Sequence, residues 1–235
     1  MVDLIPIRKL YKYEPLTRED SAGGRTYVYG ETRLPSVTAV LSATKDQTTL
    51  KAWAERIGLA EAERIRNEAA AVGTHMHAVM ERMIAYRDLP RPTNWLMVRG
   101  YELGYKLINN YFQFVSEIWG SEVPLYYPGK YAGTTDLVCV FRGKPAIVDF
   151  KQSLRPKKRQ WIEDYFQQLT AYAAAHNIVH GTTIDYGVVL IACQTGEIQE
   201  FSLTGTEFQT CQALWLSRVD RFLQEKAASA PTITA

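Results

Sequence analysis

Asp149 and Lys151 stand two residues apart in GKPAIVDFKQS (143–153), a stretch that otherwise has the composition of a buried strand. Burying either charge without a partner is costly, so the fold must supply one. An ion pair between the two residues is one solution. The other is a divalent cation shared by Asp149 and a second carboxylate, for which Asp136 in GTTD (133–136) is the nearest candidate.

The turn at Arg142 and Gly143 decides whether these carboxylates meet. Side chains two residues apart on a strand share a face, so Asp149 and Lys151 lie on the same side of the sheet. A two-residue turn places Asp136 directly opposite Asp149. A four-residue loop places Asp136 opposite Lys151, and an odd register sends it to the other face. Either even register gathers two carboxylates and an ammonium, which favours Mg²⁺ or Mn²⁺ with a lysine that helps to orient and deprotonate a water.

Two predicted helices carry further candidates, each with a structural alternative. His77 shares a helix face with Met80 and Ile84, so it is either a metal ligand or a histidine at the edge of the core. Gln168 and Tyr172 are four residues apart and also share a face. They form either a core tyrosine with a glutamine at its edge, or an amide and a phenol that contact a base or a phosphate.

A basic run begins four residues after Lys151. It is either a solvated loop or a set of phosphate contacts, with an aromatic ring beside it that could stack on a base. Its members are Arg155, Lys157, Lys158, Arg159 and Trp161.

The periodicity along the chain predicts helices first and strands later. A strand is expected over 25–30, then helices over 36–43, 48–57, 60–87 with a break near Gly73, and 96–119. Three β-rich segments, a helix over 159–177, a hairpin and a last helix follow. We therefore predict an α/β fold with a central mixed β-sheet, a β-meander plus further strands, flanked by helices. One domain, 1–235, would comprise a mostly helical part (about 34–120) and an α/β core (about 121–227).

Composition limits the class of protein. The chain has 235 residues, is 46% hydrophobic and carries a net charge of only +2, so any nucleic-acid contact must rely on a local basic patch. Its 3 cysteines fit neither a disulfide framework nor an iron–sulfur cluster. We find no signal peptide and no apolar run long enough for a membrane span, and we expect a cytoplasmic protein.

Taken in order, the motifs resemble a known nuclease family. They are Gly73-Thr74-x-x-His77, Glu122, Gly133-Thr134-Thr135-Asp136, Asp149-Phe150-Lys151 and Gln168-x-x-x-Tyr172. This order is similar to that of the RecB-like branch of the PD-(D/E)XK nucleases, and within it to the group of mitochondrial genome-maintenance exonucleases and their phage and bacterial relatives. The resemblance covers most of residues 34–200. It implies a restriction-endonuclease-like core and a metal-dependent DNA exonuclease that acts on single-stranded ends with Mg²⁺ or Mn²⁺.

The same resemblance implies roles for individual residues. His77, Asp136, Asp149 and the main-chain carbonyl of Phe150 would bind the metal, and Lys151 would be the catalytic lysine. Glu122 would be a supporting acid, while Gln168, Tyr172 and Ser153 would contact substrate. Gln152 departs from the family, which often has threonine there.

The resemblance also bears on partners and source. The chain lacks a helicase motif, so unwinding would need a helicase or recombination partner, and the lack of a targeting leader favours a bacterial or phage source. An endonuclease, a duplex-resecting exonuclease and a non-catalytic DNA-binding module stay open as alternatives.

Overall fold

A five-stranded sheet forms the centre of the computed structural model, which describes residues 5–21 and 24–228. The five strands follow one another along the sheet in sequence order, and only the third and the fourth of them run parallel. They are β4 (Val115–Tyr127), β5 (Tyr131–Phe141), β6 (Lys144–Ser153), β7 (Tyr186–Cys193) and β8 (Ile198–Thr204). The predicted α/β fold with a mixed central sheet is confirmed.

Helices cover both faces of this sheet. One face packs against α3 (Leu59–Ile84) and α4 (Trp95–Tyr111). The other packs against α1 (Val37–Thr44), α5 (Glu163–His180) and α6 (Gly205–Ala228). Alternate side chains of β6 enter the two cores, with Val148 in the first and Ile147 in the second. Within the described part of the chain, no helix has the length and apolar character needed to cross a bilayer.

The β5–β6 hairpin has the register that a two-residue turn predicts. Phe141 pairs with Lys144 and Leu137 pairs with Val148. Arg142 and Gly143 both have positive φ, 49° and 77°, as a type I′ turn requires. This register puts position 136 opposite position 149, so of the registers that the sequence left open the structure has the one set by a two-residue turn.

Two helix predictions are wrong in extent. Helix α3 runs through Gly73 without a break, because a single glycine lowers helix propensity but does not by itself end a helix, and the buried residues of α3 continue on both sides of it at Val72 and Met76. The helix predicted to reach residue 119 ends at Tyr111, and Val115 already pairs with Phe141 as the first residue of β4. Cross-strand pairing with β5 outweighs the helical periodicity there.

A small sheet precedes the helices and docks on the central one. It consists of β1 (Thr17–Ser21), β2 (Gly24–Tyr29) and β3 (Thr32–Pro35), all antiparallel. The predicted cap of α1 is present, since the Ser36 hydroxyl accepts the Ala39 N–H at 2.9 Å. Helix α2 (Thr48–Ile57) follows and ends at Gly58. Tyr27 of β2 reaches Thr134 of β5 at 3.3 Å, which fixes the small sheet beside the motif that ends in Asp136.

Candidate active site

Strands β5 and β6 stop pairing just before the two carboxylates of the hairpin, Asp136 and Asp149. The last backbone pair is Leu137–Val148. One residue further on, the Asp136 carboxylate takes the place of a backbone acceptor, since its Oδ2 accepts the Phe150 N–H at 2.7 Å. The end of the hairpin therefore opens and leaves charged side chains between the strands.

Helix α3 and strand β4 bring two more metal-binding side-chain types to this opening, His77 and Glu122. His77 Nδ1 lies 3.5 Å from Asp136 Oδ1 and 3.7 Å from Glu122 Oε1. One donor atom from each of these residues lies within 4.8 Å of the others, a spacing that can hold a metal ion. Two oxygens and one imidazole nitrogen form a donor set that suits Mn²⁺ and, with water, Mg²⁺.

Asp149 lies deeper and faces Lys151. Its carboxyl group is 1% exposed, and its Oδ2 contacts the Lys151 Nζ. Oδ1 has no hydrogen-bond partner among the described residues, which is unusual for a buried oxygen. Asp149 does not belong to the three-residue cluster of His77, Glu122 and Asp136. The unpaired oxygen is nevertheless what a second carboxylate ligand would present to a cation.

The charges of the cluster shift one another's pKa values. Burial alone would lower the pKa of His77, but the carboxylates of Asp136 and Glu122 raise it to about 9. Burial also raises the pKa of Asp136, and it raises that of Asp149 to about 6 although Lys151 opposes the shift. For Lys151, burial is outweighed by Asp149 and Asp136, so its pKa is raised. Raised pKa values on all of these groups indicate a site with an excess of negative charge.

Helix α5 places Gln168 and Tyr172 beside the same opening. Both side chains are buried, and the Gln168 Nε2 donates to the Tyr172 hydroxyl at 3.4 Å. A Cβ at Gly133 would lie 2.8 Å from the Tyr172 ring, closer than packing allows. The glycine of the GTTD motif thus lets the tyrosine approach the strand that carries Asp136.

A cavity of about 1040 Å³ joins these groups. Its walls come from α1, α3, β4, β5, β6, α5 and the small sheet. The candidate residues that line it are His77, Glu122, Asp136, Lys151, Gln168 and Tyr172. Its volume lies at the upper end of the roughly 300–1,000 Å³ typical of ligand clefts.

The basic run after β6 does not line this cavity. Arg159 pairs with Glu207 of α6 and also donates to the Ser202 carbonyl at 3.1 Å. The Lys157 N–H is bound by the Gln199 side chain at 2.7 Å, and Lys158 lies 5.3 Å from the Trp161 ring. Ser153 is buried and donates to the Arg155 carbonyl. Contact of this run with DNA stays a prediction.

Sequence reasoning missed part of the site. Arg18, Arg25 and Tyr27 line the cavity from the small sheet, although no motif singles them out. Gln152 was noted only as a departure from the family; its amide donates to the Ala69 carbonyl at 2.9 Å and ties β6 to α3. The signal that could have pointed to the arginines is their position on a strand face shared with Tyr27, which is visible only once the strands are paired.

The chain is 24% identical over 208 residues to human (Homo sapiens) mitochondrial genome maintenance exonuclease 1, and 25% identical over 215 residues to the mouse (Mus musculus) protein. These alignments cover 82% and 84% of the chain, and 59% and 62% of the relatives. No family profile matches the chain. The predicted resemblance to these exonucleases is confirmed, while placement in the PD-(D/E)XK branch stays a prediction.

Among solved structures, the chain resembles a candidate exonuclease from Eubacterium rectale. The TM-score is 0.49 and the identity 12%, over 70% of this chain and 69% of the other. The chain spans about three fifths of the length of its human and mouse relatives.

Proposed function

We propose that the chain is a metal-dependent deoxyribonuclease that hydrolyses phosphodiester bonds from single-stranded DNA ends. The observation that carries the proposal is the convergence of His77, Glu122 and Asp136 with the Asp149–Lys151 pair at one opening of the sheet. The similarity to two proteins named as exonucleases supports the same reaction class. Such an activity would serve DNA replication, repair or recombination, in a bacterial or a phage-infected cell.

The donor set fits Mg²⁺ or Mn²⁺. His77, Glu122 and Asp136 would hold the ion, and the unpaired Oδ1 of Asp149 and the main-chain carbonyl of Phe150 are further ligands by the resemblance. A bound divalent ion would polarise the phosphodiester and offset the negative charge that grows on it. A shared cation would explain why several acids lie together at this site. An ordinary ion pair with Lys151 would need only one of them.

Lys151 has a different task from the acids. Its ammonium contacts Asp149 and lies 5.1 Å from the Tyr165 ring, so its position is fixed from two sides. In the charged form, which its raised pKa favours, it would donate to a phosphate oxygen as charge develops there. It would also orient the attacking water, and it could accept the proton of that water only as the neutral amine, after its own ammonium proton had passed to solvent.

Substrate contacts would come from α5. The Tyr172 hydroxyl and the Gln168 amide face the cavity with hydrogen-bonding capacity to spare, since the bond between them is long at 3.4 Å. We propose that they position a base or a phosphate next to the cluster. Ser153, Arg155, Lys157, Lys158, Arg159 and Trp161 would be a more distant DNA contact.

Cleavage assays on linear and circular single-stranded DNA distinguish exonuclease from endonuclease action. The substrates are end-labelled or internally labelled. With Mn²⁺ or Mg²⁺ we expect linear strands to be degraded and circles to persist, and we expect chelation by EDTA to stop the reaction. Lys151→Ala should lower the rate by about 10²-fold or more, as removal of one transition-state donor does. Lys144→Ala is the matched control, because Lys144 is an exposed lysine at the other end of the same strand.

Three results would contradict the proposal. Equal cutting of circles would refute exonuclease action and indicate an endonuclease. Binding of single strands without metal-dependent cleavage of any DNA would indicate a non-catalytic DNA-binding module. Undiminished activity of Asp149→Asn and Lys151→Ala would show that the cleavage came from a contaminant.

A further inference from the structure

Two arginines on the small sheet face the same cavity as the carboxylate cluster. Arg18 of β1 and Arg25 of β2 line it together with Tyr27. The strand pairing Arg18–Tyr27 and Asp20–Arg25 puts all four side chains on one face of the sheet. Neither arginine belongs to a motif of the proposed nuclease site.

Asp20 holds both guanidinium groups in place. Arg18 Nε donates to Asp20 Oδ2 at 2.9 Å, and Arg25 Nε donates to Asp20 Oδ1 at 3.0 Å. Arg25 uses only its Nε in this contact, so its two Nη groups point to no acceptor among the described residues. Two guanidinium groups and one carboxylate leave a net charge of +1, with a planar fork of donors free to bind an anion.

The small sheet also fixes this group relative to the cluster. The Tyr27 hydroxyl contacts Thr134, two residues before Asp136 on β5. The Ser36 N–H donates to the Arg25 carbonyl at 2.9 Å, and Ser36 forms a bridge with Ala132 of β5. The arginines and Asp136 are thus held on one connected framework.

A second cavity lies next to the first one, on the other side of Arg25. This cavity of about 600 Å³ shares Arg25 and Thr38 with the first and is also lined by Lys226 of α6. Arg25 therefore lies between two neighbouring cavities, and the second one is lined by Arg25, Lys226 and the acid Asp20. A polyanionic strand is the ligand that matches such a path.

We propose that Arg18 and Arg25, oriented by Asp20, form a phosphate clamp that binds the phosphodiester backbone of the substrate strand next to the scissile bond. The inference rests on the proposed nuclease function, since it takes single-stranded DNA as the ligand. Arg18 and Arg25 would bind substrate, and Asp20 would be a positioning residue. The bidentate geometry of arginine suits phosphate oxygens and leaves base identity unread.

Fluorescence anisotropy of a labelled single-stranded oligonucleotide, in EDTA and over a range of salt concentrations, tests the clamp. Each lost phosphate contact should reduce the slope of log affinity against log salt by about 0.7 for a single strand. We expect Arg18→Gln/Arg25→Gln to bind more weakly, with a slope smaller by about 1.4. Arg33→Gln is the matched control, because Arg33 pairs with Glu19 on the opposite face of the same sheet and lies outside the cavity.

The outcomes separate this inference from the proposed function. All three arginines are in exposed ion pairs, so each variant should fold, which thermal melting would verify. If the double variant kept the wild-type slope while wild-type protein still degraded single strands, the clamp would be refuted and the nuclease would stand. An equal loss of slope in Arg33→Gln would also refute it, because general charge would then explain the binding. If wild-type protein neither bound nor cut DNA, both would fail.

Discussion

Glu122 reaches the cluster through a backbone conformation that side chains other than glycine seldom adopt. Its φ is 51°, in the left-handed region, although it lies within β4. The neighbouring pairs Ser121–Leu137 and Val123–Thr135 place it opposite Asp136. Such conformations cost roughly 1–3 kcal/mol and persist where the surroundings enforce them, often at functional sites. At this position the strain delivers a carboxylate to His77.

We expect that strain to reverse the usual order of stability of the glycine and alanine variants at position 122. In a strand, glycine is ordinarily less stable than alanine by roughly 0.5–1 kcal/mol, whereas a left-handed conformation penalises alanine by roughly 1–2 kcal/mol. Urea unfolding should therefore find Glu122→Gly more stable than Glu122→Ala by about 1 kcal/mol. Ser202, which is exposed and regularly paired with Val188 in β8, is the control. There the alanine variant should be the more stable, and the same order at both positions would contradict the prediction.

At the scale of elements, the sequence was most informative where a local signal sets geometry. The Arg142-Gly143 turn determined the register that brings Asp136 across from Asp149, and Ser36 marked the start of α1. Elements that depend on distant partners were not predictable in this way. The start of β4 at Val115 follows from pairing with Phe141, a residue 26 positions later. The clamp arginines likewise become neighbours only when the small sheet docks.

The packing of α3 on α4, which positions His77, depends on glycines of α4. A Cβ at Gly104 would collide with the Val79 side chain and lie 3.3 Å from the Met76 carbonyl. Alanine in place of a helical glycine normally gains about 1 kcal/mol, but overpacking costs roughly 1–3 kcal/mol. We therefore expect Gly104→Ala to lower the free energy of unfolding measured in urea.

Gly73 on α3 is the matched control for this prediction. A Cβ there would meet only the Gln152 side chain, at an ordinary 3.7 Å, so Gly73→Ala should be neutral or stabilising. Adding Val79→Ala should remove most of the cost of Gly104→Ala, because the colliding methyl is gone. An equal cost with and without Val79→Ala would show that the close approach of α3 and α4 is not the cause.

On the scale of the whole molecule, the walls of the site come from separate layers. Arg18 belongs to the small sheet, His77 to the helices on one face of the central sheet, and Tyr172 to a helix on the other. No single segment holds the site, so it forms only when both cores have formed. A condition that destabilises either core, such as a change of pH, is therefore expected to disrupt the site as well.

His176 makes that stability depend on pH. It is fully buried on α5, with its ring nitrogens 3.2 Å from the Tyr13 hydroxyl and 2.8 Å from Thr182 Oγ1. The rings of Tyr11, Tyr13 and His180 surround it, and no described carboxylate hydrogen-bonds to it. Burial, with a contribution from His180, lowers its pKa to about 3. The folded protein therefore keeps this imidazole neutral where the unfolded chain would protonate it.

The sign of the pH effect follows from this shift. Between the ordinary pKa of histidine, about 6.5, and the lowered value, the unfolded chain binds the extra proton, so stability is complete above that window and falls with acidification through it. One such proton changes the free energy of unfolding by up to about 1.4 kcal/mol per pH unit. In urea unfolding at pH 7, 6, 5 and 4, we expect His176→Gln to lose stability less steeply than wild type by about that amount. Parallel curves for wild type and His176→Gln would show that the buried imidazole does not set the acid limit of the fold.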